Sequence, residues 1–215
     1  MWLVIACVLS AALPDTSAAY FNGFNRPKVV HLAAKAGKGP VIVIVVDAMR
    51  PDRLSPYGAA RDRSPNMAAL ADDGVTLTNY FVNANWTRPS TASILTGLLP
   101  SDHRVQGEAD KLGPDVTTIA EALSESNVPT GAVIGNGNAA SAFGLAQGFT
   151  EFADTVKHWK GLPTADDVVD LALPFVERHK NERFFLFVFM VDPHDPYHAP
   201  GNFETMYVRD PNTPL

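Results

Sequence analysis

The sequence predicts an α/β fold: a doubly wound, mainly parallel sheet with helices on both faces, incomplete at its C-terminus. Three observations carry that expectation. P-V-I-V-I-V-V-D (40–47) is a continuous β-branched run without polar alternation, the pattern of a strand covered on both faces. Arg183 to Val191 is a second apolar run of the same kind. Between them, helical and strand patterns alternate, as a parallel sheet with crossover helices requires. A chain of 215 residues, 46% hydrophobic, suffices for one such domain.

The N-terminal stretch W-L-V-I-A-C-V-L-S-A-A-L is too short to cross a membrane, which takes roughly 20 residues. Pro14 and the small residues Ser17-Ala18-Ala19 follow it. Residues 1–19 therefore read as an export signal, although a basic n-region is missing, and a secreted or periplasmic location is expected. A buried N-terminal strand or helix is the alternative. Cys7 is the only cysteine, so no intramolecular disulfide can form. A chain cleaved after the signal would have none, which suits an oxidising compartment. Residues 20–39 form a lead-in segment, and residues 40–215 the domain itself.

The first core strand stops at Asp47, a charge at the carboxyl end of a buried strand, where ligands bind in open α/β sheets. A loop occupies 49–58. Ser64 suits an N-cap and Pro65 a first helical turn, predicting a helix of about nine residues closed by Gly74. Val75 to Val82 alternates as a strand should. Pro89 to Leu95 reads as a short helix stopped by Gly97. Val116 to Ser124 reads as a helix, and Thr130 to Ile134 as a strand ending at G-N-G-N (135–138). Thr164 to His179 is a long amphipathic helix, in which Pro174 is expected to cause a kink or a shifted boundary. The strand at 183–191 ends at D-P-H-D-P-Y (192–197). The irregular residues up to Leu215 suggest a chain truncated before the sheet is finished.

Seventeen Lys+Arg against 23 Asp+Glu give a net charge of −6. With no basic run, general nucleic-acid binding is not expected. Three polar residues fall at or just after strand ends and could share one edge of the sheet. Asp47 needs a partner, because an unpaired buried charge is costly. A divalent metal, which takes carboxylate oxygens, is one reading; a turn cap or a pair with Arg50 is the other. Thr87 precedes a helix whose free N–H groups favour an anion, and a metal beside its hydroxyl would make it a nucleophile. An ordinary N-cap is the simpler reading of its position. His194 lies in a proline-flanked loop, where it could hold an anionic oxygen or protonate a leaving group, or be a surface turn residue. His103, Asn136 and Asn138 are weaker candidates. His31, His158 and His198 have no clear partners, and His179 suits a helix C-terminus.

Taken in order, V-I-V-I-V-V-D-A-M-R-P-D-R-L-S-P-Y-G, S-P-N-M-A-A-L-A-D-D-G-V, W-T-R-P-S-T-A-S-I-L-T-G-L-L-P-S-D-H-R-V and V-D-P-H-D-P-Y resemble the sulfatase N-terminal domain of the alkaline phosphatase superfamily. The resemblance runs from about residue 40 to 203. It implies an alkaline-phosphatase-like fold and hydrolysis or transfer of sulfate or phosphate esters at one or two divalent metals. It implies Asp47 as a metal ligand, Thr87 as the metal-bound nucleophile and His194 as a contact to the ester's oxygens. Calcium is implied for a sulfatase, zinc or manganese for a phosphatase or transferase. The departures are specific. Sulfatases carry cysteine or serine at the Thr87 position for conversion to formylglycine, so no formylglycine is expected here. They carry arginine where this chain has Thr91, often a second aspartate where it has Ala48, and a lysine and histidine in the region of I-G-N-G-N. Threonine at the nucleophile position resembles relatives that form a phospho-threonine intermediate. An inactive binding module on the same fold is the remaining alternative.

Overall fold

A computed structural model describes residues 3–7, 39–60, 64–154, 162–197, 199, 201–204 and 206. Among the described residues, five strands form one sheet: β1 (Leu3–Cys7), β2 (Val41–Val46), β3 (Thr130–Ile134), β4 (Glu151–Asp154) and β5 (Phe185–Met190). Their spatial order is β1-β2-β5-β3-β4. The last four are mutually parallel, and β1 lies antiparallel along the outer edge of β2. Leu3–Cys7, inside the stretch read as an export signal, thus forms a strand, while Ser17 to Ala19 lie outside the described residues.

The central strand explains why no polar residue interrupts the two apolar runs. Along β5, Phe185, Phe187 and Phe189 enter one core with Val45, Ala132, Ile134, Ala92 and Leu95. Leu186 and Val188 enter the core on the opposite face with Val133, Val168, Ala172 and Phe175. Successive side chains of a strand point to opposite faces, so helices on both sides demand apolar residues at every position. The second core belongs to α5 (Ala165–His179), whose N-cap Thr164 exchanges hydrogen bonds with Asp167 in a capping box. The helix continues through Pro174, so of the two expected outcomes, a kink or a shifted boundary, the shift does not occur.

The first core is covered by α2 (Thr87–Thr96) and α4 (Ile119–Ser124). α4 begins at Ile119, later than the expected Val116, because Thr118 forms a capping box with Glu121 and fixes the start there. Between them lies α3 (Pro100–His103), one helical turn, and α1 (Pro65–Asp72) precedes both. Ser64 stands before α1 as expected, but its side chain does not cap: its Oγ accepts from the Ser55 backbone N–H at 2.8 Å.

One predicted strand is absent. Val75 to Val82 forms no ladder, and its apolar residues face outward, with Val75 75% and Phe81 83% exposed. Alternation is necessary for a half-buried strand, but pairing needs a free neighbouring edge, which the local sequence does not contain. Conversely, β4 was not anticipated. Four residues at a sheet margin, E-F-A-D, carry too little pattern to be read alone.

Registration of β2, β5 and β3 brings their carboxyl ends level: Val46 lies opposite Met190 and Ile134 opposite Phe189. The residues that follow, at Asp47, Asn136 and Asp192–Tyr197, therefore emerge on one edge of the sheet.

Candidate active site

Asp47 is completely buried. The alternative pairing with Arg50 is not made: Arg50 forms an exposed ion pair with Asp52 instead, at 2.8 Å. The Asp47 carboxylate turns inward. Its Oδ2 accepts from Thr87 Oγ1 at 3.3 Å and from Asn136 Nδ2 at 2.6 Å. Its Oδ1 is buried without a hydrogen-bond partner among the described residues. Burial raises the Asp47 pKa above its ordinary value, partly opposed by the His194 charge and by the hydrogen bonds from Asn136 and Thr87.

Thr87 is not the cap its position suggested. α2 starts two residues before the expected Pro89, Trp86 holds the extended N-cap position, and no side chain caps the helix. A capping hydroxyl accepts from a backbone N–H. Here a carboxylate stands within reach, and the hydroxyl donates to it. Pro89 fits the third helical position, where its missing N–H is one the helix would leave unpaired anyway.

Most of α2 is buried, and its small hydroxyl-bearing residues let it lie close to the sheet while their oxygens find partners nearby. Thr91 Oγ1 donates to the Thr87 carbonyl at 2.8 Å, and Thr96 Oγ1 to the Ala92 carbonyl at 2.7 Å. Thr91, at the position where the sulfatase pattern has arginine, is thus tied to its own helix. Ser93 Oγ meets His103 Nε2 at 3.0 Å, and the Val105 N–H donates to His103 Nδ1 at 3.1 Å. Nδ1 must therefore be the unprotonated nitrogen, and Nε2 donates to Ser93. Burial holds the His103 pKa below its usual range. His103 supports α2 from beneath and does not reach the Asp47 edge by any hydrogen bond.

His194 is half-buried. Its Nδ1 lies 2.7 Å from the Asp195 carbonyl, which can only accept, so Nδ1 carries a proton and Nε2 makes no hydrogen bond among the described residues. It lines a cavity of about 410 Å³ together with Asn136, Asn138, Phe143, Leu162 and Asp195. Asn136, which touches both Asp47 and Thr87, connects the buried pair to this cavity. The structure thus brings Asp47, Thr87 and Asn136 into contact and sets His194 beside them. His179 lies elsewhere, in the last turn of α5 and 2.7 Å from Glu182 Oε1. His31, His158 and His198 fall outside the described residues.

Arg88 gave no signal in the sequence, yet it is buried. Its Nη1 donates to the backbone carbonyls of Glu108 and Asp110, and its Nη2 to Asn138 Oδ1 at 3.1 Å. Its guanidinium lies 3.3 Å from the centre of the Phe143 ring. An arginine on the first turn of a helix normally reads as a solvated charge; only the tertiary structure buries this one.

Fold and edge together define the class of protein: an α/β domain of the alkaline phosphatase type. Solved structures of that type share the fold. One is a phosphonate monoester hydrolase of Agrobacterium radiobacter, with TM-score 0.62, 21% identity, and coverage of 78% of this chain and 43% of that one. Another is an alkaline phosphatase superfamily protein from Vibrio parahaemolyticus, with TM-score 0.60, 18% identity, and coverage of 80% and 45%. The family model described as Sulfatase matches residues 40–214, and the chain belongs to the sulfatase family. Two relatives come from Bacteroides thetaiotaomicron. An N-acetylglucosamine-6-O-sulfatase is 29% identical over 72% of this chain, and an N-acetylgalactosamine-6-O-sulfatase is 28% identical over 54% of it. The matches span 30% and 24% of the lengths of those two proteins, respectively. No helix among the described residues is long and apolar enough to cross a membrane.

Proposed function

We propose that this chain carries the nucleophile-bearing part of a hydrolase for sulfate or phosphate esters, with Thr87 as the attacking residue and phosphate esters preferred. The observation that carries the reading is the buried contact between Thr87 Oγ1 and Asp47 Oδ2, 3.3 Å apart at the carboxyl edge of the sheet. Membership of the sulfatase family supports ester hydrolysis, and an unmodified threonine favours a phosphorylated intermediate over formylglycine chemistry.

Asp47 and Thr87 fit one side of a hard divalent cation. A buried carboxylate oxygen without a hydrogen-bond partner is costly unless something positive meets it. Calcium suits a sulfatase, zinc or manganese a phosphatase. Bound there, such a cation would supply Lewis acidity that lowers the pKa of the neighbouring hydroxyl.

The chain's own groups account for the remaining work. Oγ1 of Thr87 forms the new bond to phosphorus or sulfur, and its proton passes toward Asp47 Oδ2, the acceptor it already faces. The bond from phosphorus or sulfur to the ester oxygen breaks. Nε2 of His194, when protonated, can hold a non-bridging oxygen or give its proton to the departing alkoxide. Water then cleaves the threonyl ester and restores the hydroxyl.

The test uses the protein containing this chain, supplied with manganese, zinc or calcium, and p-nitrophenyl phosphate or p-nitrophenyl sulfate. Phosphate turnover at least equal to sulfate turnover is expected, with a phosphorylated Thr87 peptide after acid quench. The peptide should be absent in Thr87→Val. Faster sulfate turnover lost in Thr87→Ala would overturn the phosphate preference. A non-catalytic binding module is the second reading, favoured by Thr91, whose hydroxyl is spent on the Thr87 carbonyl where the family pattern has arginine. Binding of a phosphate or sulfate ester without turnover would support it. Export belongs to the same proposal on the strength of the apolar N-terminal segment. A mature protein whose N-terminus lies near Ala19 would support it.

A further inference from the structure

Both side-chain hydrogen bonds to Asp47 can be followed back to Arg88. The Asn138 backbone N–H donates to Asn136 Oδ1 at 2.8 Å. That contact fixes which end of the Asn136 amide faces inward, so Nδ2 points at Asp47 Oδ2, 2.6 Å away. A flipped amide would press one oxygen against another. Asn138 is itself held from its side chain, where Oδ1 accepts from Arg88 Nη2. Arg88 follows Thr87 directly in the chain, and Thr87 donates to the same Asp47 oxygen. The circuit is closed: Thr87 and Asn136 converge on Oδ2, and Arg88 ties the two arms together through Asn138.

We propose that Asn136 is the positioning residue for Asp47, and that Arg88 holds Asn136 in place through Asn138. With Oδ2 taken by two donors, Oδ1 is the oxygen left to meet a ligand. The arrangement gives a physical role to the asparagines of I-G-N-G-N. It also accounts for a buried guanidinium whose acceptors are backbone carbonyls and an amide: it is anchored at a fixed point, against the Glu108 and Asp110 carbonyls and the Phe143 ring, from which it restrains the loop. The inference rests on the proposed function only for what Asp47 then binds.

The test has two readouts on the 215-residue chain. The first needs no metal: the side-chain NH2 resonances of Asn136 in a ¹⁵N-labelled sample. They should shift in Asp47→Ala and in Asn138→Ala, and stay put in the remote Ser126→Ala. Asn138 is exposed, so its alanine variant is expected to fold. The second is manganese affinity by calorimetry. Asn136→Ala should weaken it about tenfold, the usual effect of removing a group that orients a metal ligand. Asn138→Ala should weaken it in the same direction, and the double variant should be no weaker than Asn136→Ala alone, because both cut one circuit. Arg88→Lys, which keeps the charge but loses the planar fork, should behave as Asn138→Ala does. Additive losses, or Asn136 resonances indifferent to Asp47→Ala, would overturn the inference. A wild-type chain that fails to bind manganese while those resonances still respond supports the circuit and removes the cation reading of Asp47.

Discussion

Asp47→Asn separates function from stability at the site. Without metal, the ionised form of Asp47 buries a charge with Oδ1 unpartnered among the described residues. Leaving such a group unsatisfied costs about 1–3 kcal/mol, more when it is charged. The isosteric amide removes the charge and can keep an oxygen toward Asn136 and Thr87. Its NH2 then takes the place of the unpartnered Oδ1 and is a buried donor without an acceptor, which offsets part of the gain. The net expectation is a gain of about 1–2 kcal/mol in EDTA. The pH dependence fixes the sign. Burial is the leading cause of the raised Asp47 pKa. An acid raised on folding contributes stability that is complete below its unfolded pKa, ordinarily 3.8, and lost as pH rises through the folded value. The wild type therefore falls behind Asp47→Asn as pH climbs from about 4 toward neutrality. Urea unfolding in EDTA across that range measures the gap. Saturating manganese should reverse the order, since a ligand at 100 times its Kd adds about 2.7 kcal/mol to the wild type alone. A variant less stable than wild type at neutral pH in EDTA, or a gap that does not widen with pH, would refute the reasoning.

Three further outcomes are expected. His103 is kept neutral by burial, with its pKa below the usual 6.5, so its contribution is complete above the unfolded pKa and is lost as pH falls through the folded one. His103→Gln should flatten the decline in urea midpoint between neutral pH and about pH 5. Gly148 has φ +79°, and a Cβ there would fall on the backbone of Ala120 and Glu121 in α4. Gly148→Ala should cost more than about 1 kcal/mol, the scale for an alanine forced to positive φ, read as a lowered melting temperature, whereas Gly58→Ala, with open space around it, should cost less. Thr87→Ser keeps a hydroxyl at the N-terminus of α2 and should retain turnover in the protein containing this chain; Thr87→Val should abolish it while leaving the fold intact by circular dichroism.

The local sequence determined what depends on short-range pattern. The β-branched run 41–46 and the Phe-rich run 185–190 could only be strands covered on both faces, because every alternate residue on each side is apolar. The helix stop at Gly97, and the motif order from Asp47 to His194, were equally legible, since hydrogen-bonding and dihedral preferences act within a few residues. Tertiary structure decided the rest. Val75 to Val82 has the alternation of a strand but pairs with no strand of the sheet. Thr87 has the chemistry of a cap, but its hydroxyl donates to a carboxylate forty residues earlier in the chain. Arg88 and Asn136, neither a strong signal alone, matter because the parallel register of β2, β5 and β3 brings separate strand ends level. Partners so far apart in the chain are chosen by the packing of the sheet, and no local preference encodes that choice.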